Sequence, residues 1–247
     1  MTLRERPTGC EILMLRRNLR SDFVGGAHVF PGGAVDDADT DAQNVVWGLD
    51  DDHASRRLGL ESGGLAFYVA ALRELFEEAG LLIACDQSGR RVSFRDDEAR
   101  HRWAQHRRDV NAGERAFVAT LRAEGFLLDL SNVEYVAHWI TPVGPPRRYD
   151  TRFFVALAPE DQVATHDAHE TVADHWVRPF DALAAHDRGE FEMILPTVRN
   201  LSAIAGFASA GEVLHWARGL KSITCVEPHI VERDGALVIL TPGDEGW

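Results

Sequence analysis

Arg73-Glu74-Leu75-Phe76-Glu77-Glu78-Ala79-Gly80-Leu81 is the stretch on which the reading of this chain turns. Leading into it, Val69, Leu72, Phe76 and Ala79 recur at three- and four-residue intervals, which predicts a helix over residues 63–79 with one apolar stripe and Gly80 as its C-terminal stop. On that helix Glu74, Glu77 and Glu78 stand at i, i+3 and i+4, so their carboxylates share the face opposite the stripe. Like charges repel at that spacing, and Glu77 and Glu78 fall in the last turn, where the helix dipole is already negative. A divalent cation reverses the sign of the argument: Mg2+ and Mn2+ prefer hard oxygen ligands, and Mg2+ commonly takes a few carboxylates together with substrate phosphate oxygens. The bland alternative is a solvated face, with Arg73 merely paired to Glu77 across one turn.

Towards the N-terminus, residues 10–15 and 27–30 read as strands flanking a polar turn at 16–22, and the second runs into Pro31, Gly32 and Gly33. Glycines at such a turn let the backbone approach a phosphate or metal closely and free a carbonyl as a ligand. Residues 36–62 are acidic with weak periodicity and read as a long loop or insertion with room for a short helix. Towards the C-terminus, residues 81–85 read as a buried strand and 86–91 as a turn. Two charged helices at 96–108 and 113–124 read as a solvated hairpin over the sheet, without a catalytic pattern. Residues 133–140 and 151–157 read as strands joined by a stiff loop holding Pro142, Gly144, Pro145 and Pro146. A strand at 171–177, helices at 180–186, 197–208 and 211–218, and a hairpin over 229–240 turning at Asp234 and Gly235 complete the chain. This order predicts an α/β fold with a mixed sheet and additional helices. It forms one domain over 1–247, with an insertion at about 40–62, a helical insertion at about 95–125 and a helical extension at about 180–220.

Of 247 residues, 45% are hydrophobic and 26% charged, as in ordinary globular proteins, and the formal charge of −13 argues against a nucleic-acid partner. Cys10, Cys85 and Cys225 form no paired motif and read as buried thiols in a reducing cytoplasm. A signal peptide, a membrane span and an S-K-L type address are not expected. The eleven histidines contain no H-x-x-x-H pattern, which argues against zinc.

R-E-L-F-E-E-A-G-L matches, position for position, the second half of the Nudix box, R-E-U-x-E-E-x-G-U with U apolar. The first half, G-x5-E, is met upstream by Gly33 and Asp39, the aspartate standing in the slot of the usual glutamate. Residues 40–72 separate Asp39 from Arg73 where the box has seven, an insertion of 26 residues. The chain thus resembles the Nudix hydrolases. Ala27-His28-Val29-Phe30-Pro31-Gly32-Gly33, Trp139-Ile140-Thr141-Pro142 and the stretch from Arg147 to Phe154 are similar to the branch containing the mammalian peroxisomal coenzyme A diphosphatase. A coenzyme A signature, L-L-T-x-R-S-x3-R-x3-G-x3-F-P-G-G, is met at Leu13, Arg17, Gly26 and Phe30 to Gly33, but Met14, Leu15, Asn18 and Asp22 depart from it.

The resemblance implies an α/β/α sandwich with Mg2+ or Mn2+ held by Glu74, Glu77, Glu78 and the carbonyl of Gly33. Glu77 and Arg73 join the catalytic set, and a general base comes from Asp167-Ala168-His169-Glu170, with Glu170 first and His169 second. Arg17, Arg147, Arg148 and Arg152 become candidates for substrate phosphates, to which guanidinium groups are suited. The implied reaction is water attack on a diphosphate of coenzyme A or its acyl form. ADP-ribose, NADH or a dinucleoside polyphosphate is the alternative substrate, and a non-catalytic nucleotide-binding module the alternative class. A homodimer is left open.

Overall fold

A computed structural model of the chain describes residues 1–19, 25–145, 147–167, 170–233 and 235–245. Asp22, Pro146, Ala168, His169 and Asp234, named above, lie outside the described residues.

The chain runs β1 (Thr2–Arg6), β2 (Gly9–Arg17), β3 (His28–Val29), α1 (Asp37–Thr40), a 3-10 turn (Ala42–Val45), β4 (Val46–Trp47), α2 (Asp51–Leu58) and α3 (Gly64–Ala79). It continues through β5 (Ala84–Cys85), α4 (Asp97–Asn111), α5 (Phe117–Glu124), β6 (Leu127–Asp129), β7 (Glu134–Ile140), β8 (Asp150–Leu157) and β9 (Thr171–Val177). Helices α6 (Pro179–Asp187), α7 (Leu195–Ile204) and α8 (Ala210–Gly219), then β10 (Cys225–Val226), β11 (His229–Arg233) and β12 (Ala236–Leu240), complete it. The main sheet is ordered β10-β7-β8-β1-β2-β3, with β9 also pairing β2. It is mixed, since β1/β8 and β10/β7 are parallel while β1/β2, β2/β3, β2/β9 and β7/β8 are antiparallel.

Alternation along β2 assigns the layers. Leu13 and Leu15 point into a core shared with α3, whereas Ile12 and Met14 point into a second core with residues of α6, α7 and α8. Helices on both faces of one sheet make the expected α/β/α sandwich. Among the described residues no helix is long and apolar enough to cross a membrane.

Four expectations need correction. Residues 36–62 are not a loop: they hold α1, the 3-10 turn, β4 and α2. Asp50 caps α2 by accepting from the His53 N–H at 2.8 Å, and Gly59 ends it in the left-handed region at φ +69°. Two turns of helix are too short to announce a period. The strand at 81–85 shrinks to β5, which pairs with β6 in a small separate sheet, β4-β6-β5. Leu81 and Leu82 are buried as irregular chain, with the Leu82 N–H and C=O both taken by the Gln162 amide. Helix α4 packs on α3 and not as a solvated cover of the main sheet, Trp103 being buried 5.8 Å between ring centroids from Phe76 and stacked with Phe94, while α5 packs on β6 and the 3-10 turn with Phe117 5.4 Å from Phe76. Finally, Cys225 is exposed on the short strand β10, while Cys10 and Cys85 are buried.

Helices α2 and α4 both grip α3. From α2, Asp51 accepts from the N–H groups of Gly63 and Leu65 at 2.9 Å each, and Ser55 Oγ accepts from the Gly64 N–H at 2.8 Å. These are first-turn donors that a helix leaves open, and their bonds hold the Asp51 carboxyl below its usual range. The other end is met by α4.

Candidate active site

Twelve of the sixteen residues of α3 are buried, and the part-exposed ones, Phe67, Ala71, Glu74 and Glu77, form a single stripe. The glutamate face is thus a half-covered groove in a core helix, which removes the solvated-face alternative. The Arg73 guanidinium, 7% exposed, is surrounded by acceptors: Asp39 at 3.0 and 3.1 Å, Glu74 Oε1 at 2.8 Å, Glu77 Oε2 at 3.1 Å and the Ala34 carbonyl at 2.6 Å. Burial opposes the guanidinium charge, but the bond to Asp39 and the charges of Glu74, Asp39 and Glu77 outweigh it and raise its pKa.

Asp39 itself is fully buried and arrives from α1 across the insertion. Although 33 residues separate them in the chain, Asp39 and Arg73 meet in the fold.

The turn after β3 packs directly on the carboxylates. The Gly32 N–H donates to Glu78 Oε2 at 3.0 Å. At Gly33 a Cβ would lie 2.3 Å from Glu74 Oε1, so any larger residue collides with that side chain.

Charge accumulates here at a cost. Burial pushes Glu78 up to about 8; the Gly32 N–H opposes this, and the charges of Glu74, Glu170 and Asp167 add to it. Burial likewise raises Glu74 to about 7, against Arg73 and with Glu77 and Glu170, and raises Glu77. Glu170, exposed at the start of β9, is close enough for its charge to act on both Glu74 and Glu78. Its N–H is held by Asp167 Oδ2 at 3.1 Å and its carbonyl by the Asn18 N–H at 2.8 Å. Arg17 lies opposite Thr171 at a bulge in the β2–β9 ladder, and its Nε is buried without a hydrogen-bond partner among the described residues.

A sequence model of the NUDT19 Nudix domain matches residues 50–204, well over half of the chain, including α3 and Glu170. The chain belongs to this Nudix family. The acyl-coenzyme A diphosphatase NUDT19 of Gallus gallus is 28% identical over 280 residues, spanning 97% of this chain and 73% of the relative. Its Homo sapiens counterpart is 27% identical, spanning 96% and 72%. The crystal structure of a Nudix hydrolase from Alicyclobacillus acidocaldarius superposes with a TM-score of 0.72 at 27% identity, covering 87% of this chain and 92% of that one.

Around this Nudix site the other arginines divide. Arg152, 7% exposed, lies 4.5 Å over the Phe67 ring, on the same stripe as Glu74 and two turns before it. It pairs with Asp150 at 3.0 Å, and its Nε is buried without a partner among the described residues. Arg148 donates to the Thr141 carbonyl at 2.8 Å and pairs with Glu227, and Arg147 is exposed on the same loop. Among the described residues, no hydrogen bond or ion pair joins Arg147 or Arg148 to the glutamates.

Among the described residues no three His, Cys, Asp or Glu side chains are already gathered around one point for an ion, because Arg73 holds Glu74 and Glu77. The donor set nevertheless fits a hard divalent cation: three carboxylates, Glu78 buried and Glu74 and Glu77 part-exposed, whose pKa values are raised chiefly by burial and further by the charge of neighbouring carboxylates. Sequence reasoning missed Asp51, Arg107 and Asn111. None stands at a helical spacing from the glutamates, and they reach the site only through tertiary packing.

Proposed function

We propose that this protein is a divalent-metal-dependent diphosphatase that hydrolyses coenzyme A or acyl-coenzyme A to 3′,5′-ADP and 4′-phosphopantetheine or its acyl form. The observation that carries this reading is the trio of buried Glu78 and part-exposed Glu74 and Glu77 on one face of α3, with Glu74 and Glu78 packed on the Gly32-Gly33 turn and within electrostatic reach of Glu170. The substrate follows from the names of the relatives from Gallus gallus and Homo sapiens, which are acyl-coenzyme A diphosphatases.

Glu74, Glu77, Glu78 and the Gly33 carbonyl would hold Mg2+ or Mn2+, which when bound supplies Lewis-acid polarisation of the phosphate oxygens. Arg73 sets the carboxylates in place through Glu74 and Glu77, and so acts by positioning and not on substrate. Glu170 accepts the proton of the attacking water. The water oxygen bonds to one phosphorus, the bond from that phosphorus to the bridging oxygen breaks, and the other half leaves as a phosphomonoester. Arg17 and Arg152, each with a buried Nε lacking a hydrogen-bond partner among the described residues, would hold anionic parts of the substrate, and Arg147 and Arg148, on an exposed loop, are further candidates for its phosphates. The buried free thiols of Cys10 and Cys85 suit the reducing cytoplasm in which we place the reaction, a location that cell fractionation checks. Light scattering decides whether it works as a homodimer.

The test is mass spectrometry of products after incubation with either metal and coenzyme A, acyl-coenzyme A, ADP-ribose, NADH or diadenosine polyphosphates. Selective release of 3′,5′-ADP is expected. Faster cleavage of another diphosphate would change the substrate, and no cleavage with either metal would leave a nucleotide-binding module.

A further inference from the structure

Arg107 lies on α4, in the helical insertion. Its Nε–H donates to the Glu77 carbonyl at 2.9 Å, and Asn111, one turn on, donates Nδ2 to the same oxygen at 3.1 Å. That oxygen is one of the last-turn acceptors a helix end leaves open, and the next but one, Ala79 O, is taken by the Thr165 N–H at 2.9 Å. Gly80 permits the approach: its φ is +70°, and a Cβ there would fall 3.0 Å from Arg107 Nη1. The far side of the guanidinium, Nη2, is buried without a hydrogen-bond partner among the described residues. The acids that act on Arg107 are Asp167, Glu78 and Asp174 in that order. Asp167 in turn accepts from the N–H groups of Glu170 at 3.1 Å and Thr171 at 2.9 Å and from Thr171 Oγ1 at 2.8 Å, which fixes the start of β9.

One guanidinium therefore binds the end of the glutamate helix by a hydrogen bond and lies within electrostatic reach of Asp167, the carboxylate that holds the Glu170 N–H. We infer that Arg107 is a positioning residue for hydrolysis, setting the last turn of α3, with Glu77 and Glu78, against the segment anchored by Asp167 and carrying Glu170. A cation at a helix C-terminus is favourable in itself, and the planar fork of arginine serves two directions at once where lysine serves one.

The inference rests on the hydrolase reading above, and the experiment separates the two. Initial rates are measured with Mg2+ on whichever diphosphate the intact protein cleaves fastest, for wild type, Arg107→Ala, Arg107→Lys, Asp167→Asn, the double variant Arg107→Ala/Asp167→Asn, and Arg108→Ala, an exposed neighbour on α4. Expected for Arg107→Ala is a kcat about 10- to 100-fold lower with KM within about threefold, since a displacement of about 1 Å costs that much. The double variant should lose no more than the worse single one, and Arg108→Ala should match wild type. Wild-type kcat in Arg107→Ala, additive losses in the double variant, or a rise in KM as large as the fall in kcat/KM each overturns the assignment while leaving the hydrolase reading intact. Absence of turnover in wild type overturns both. If Arg107→Ala does not fold, Arg107→Lys decides: reduced kcat at an unchanged melting temperature supports the inference, and wild-type kcat overturns it.

Discussion

Asp39 exposes none of its side chain and gives both carboxylate oxygens to Arg73, so its neutralisation removes the fully buried charge partner of that guanidinium and leaves it the part-exposed Glu74 and Glu77. Asp39→Asn is expected to destabilise the fold by on the order of 3 kcal/mol in urea unfolding, the range found when one partner of a buried pair is removed. A change below about 0.5 kcal/mol, the level of an ordinary surface substitution, would show that the pair carries no weight. Glu78 behaves in the opposite way. Burial already pushes its carboxyl up to about 8, so a neutral amide that still accepts from Gly32 N–H relieves the site. Glu78→Gln should melt, without added metal, no lower than wild type, yet lose about 100-fold or more in kcat. Near-wild-type turnover would remove Glu78 from the metal set.

At the scale of elements, α3 is a helix whose two ends are finished by other helices. Gly64 touches α2 backbone to backbone, and a Cβ there would lie 2.4 Å from Ser55 N. Gly64→Ala should therefore cost at least about 2 kcal/mol, since packed backbone cannot retreat as a side chain can. Retention of the wild-type melting temperature would mean that the α2–α3 contact is loose. The period of Val69, Leu72, Phe76 and Ala79 made α3 legible in the sequence, and the apolar run of β2 with the aromatic and β-branched composition of β7 and β8 made most of the sheet so. Two-residue strands such as β4 and β5 carry no alternation to read. The glutamates were legible because their spacing is local. Asp51 and Arg107 were not, because their relation to α3 exists only after α2 and α4 have docked.

Across the whole molecule, the sheet's second face carries a pH-sensitive contact. His28 is buried, its ring stacked on Phe191 at 3.4 Å between centroids, and burial, aided by the charges of His175 and Arg16 against the Glu192 carbonyl, pushes its pKa down to about 4. The unfolded chain protonates near the ordinary value of about 6.5. The stability from neutral His28 is therefore complete above pH ~6.5, declines as pH falls, and is lost once pH passes below ~4, a change on the order of 3 kcal/mol. Urea unfolding of wild type and His28→Phe between those limits checks this: the wild-type curve should fall more steeply, and parallel curves would exclude His28 as the cause.

The splice between Asp39 and Arg73 has a kinetic consequence. Joining residues 34 apart, rather than the eight of an uninterrupted box, closes a loop about four times longer, at roughly 1.2 kcal/mol of additional chain entropy. The Asp39–Arg73 contact is therefore expected to form late, after α2 has docked on α3. Asp39→Asn should accelerate unfolding while leaving the refolding rate nearly unchanged, whereas slowed refolding would place this contact in the nucleus.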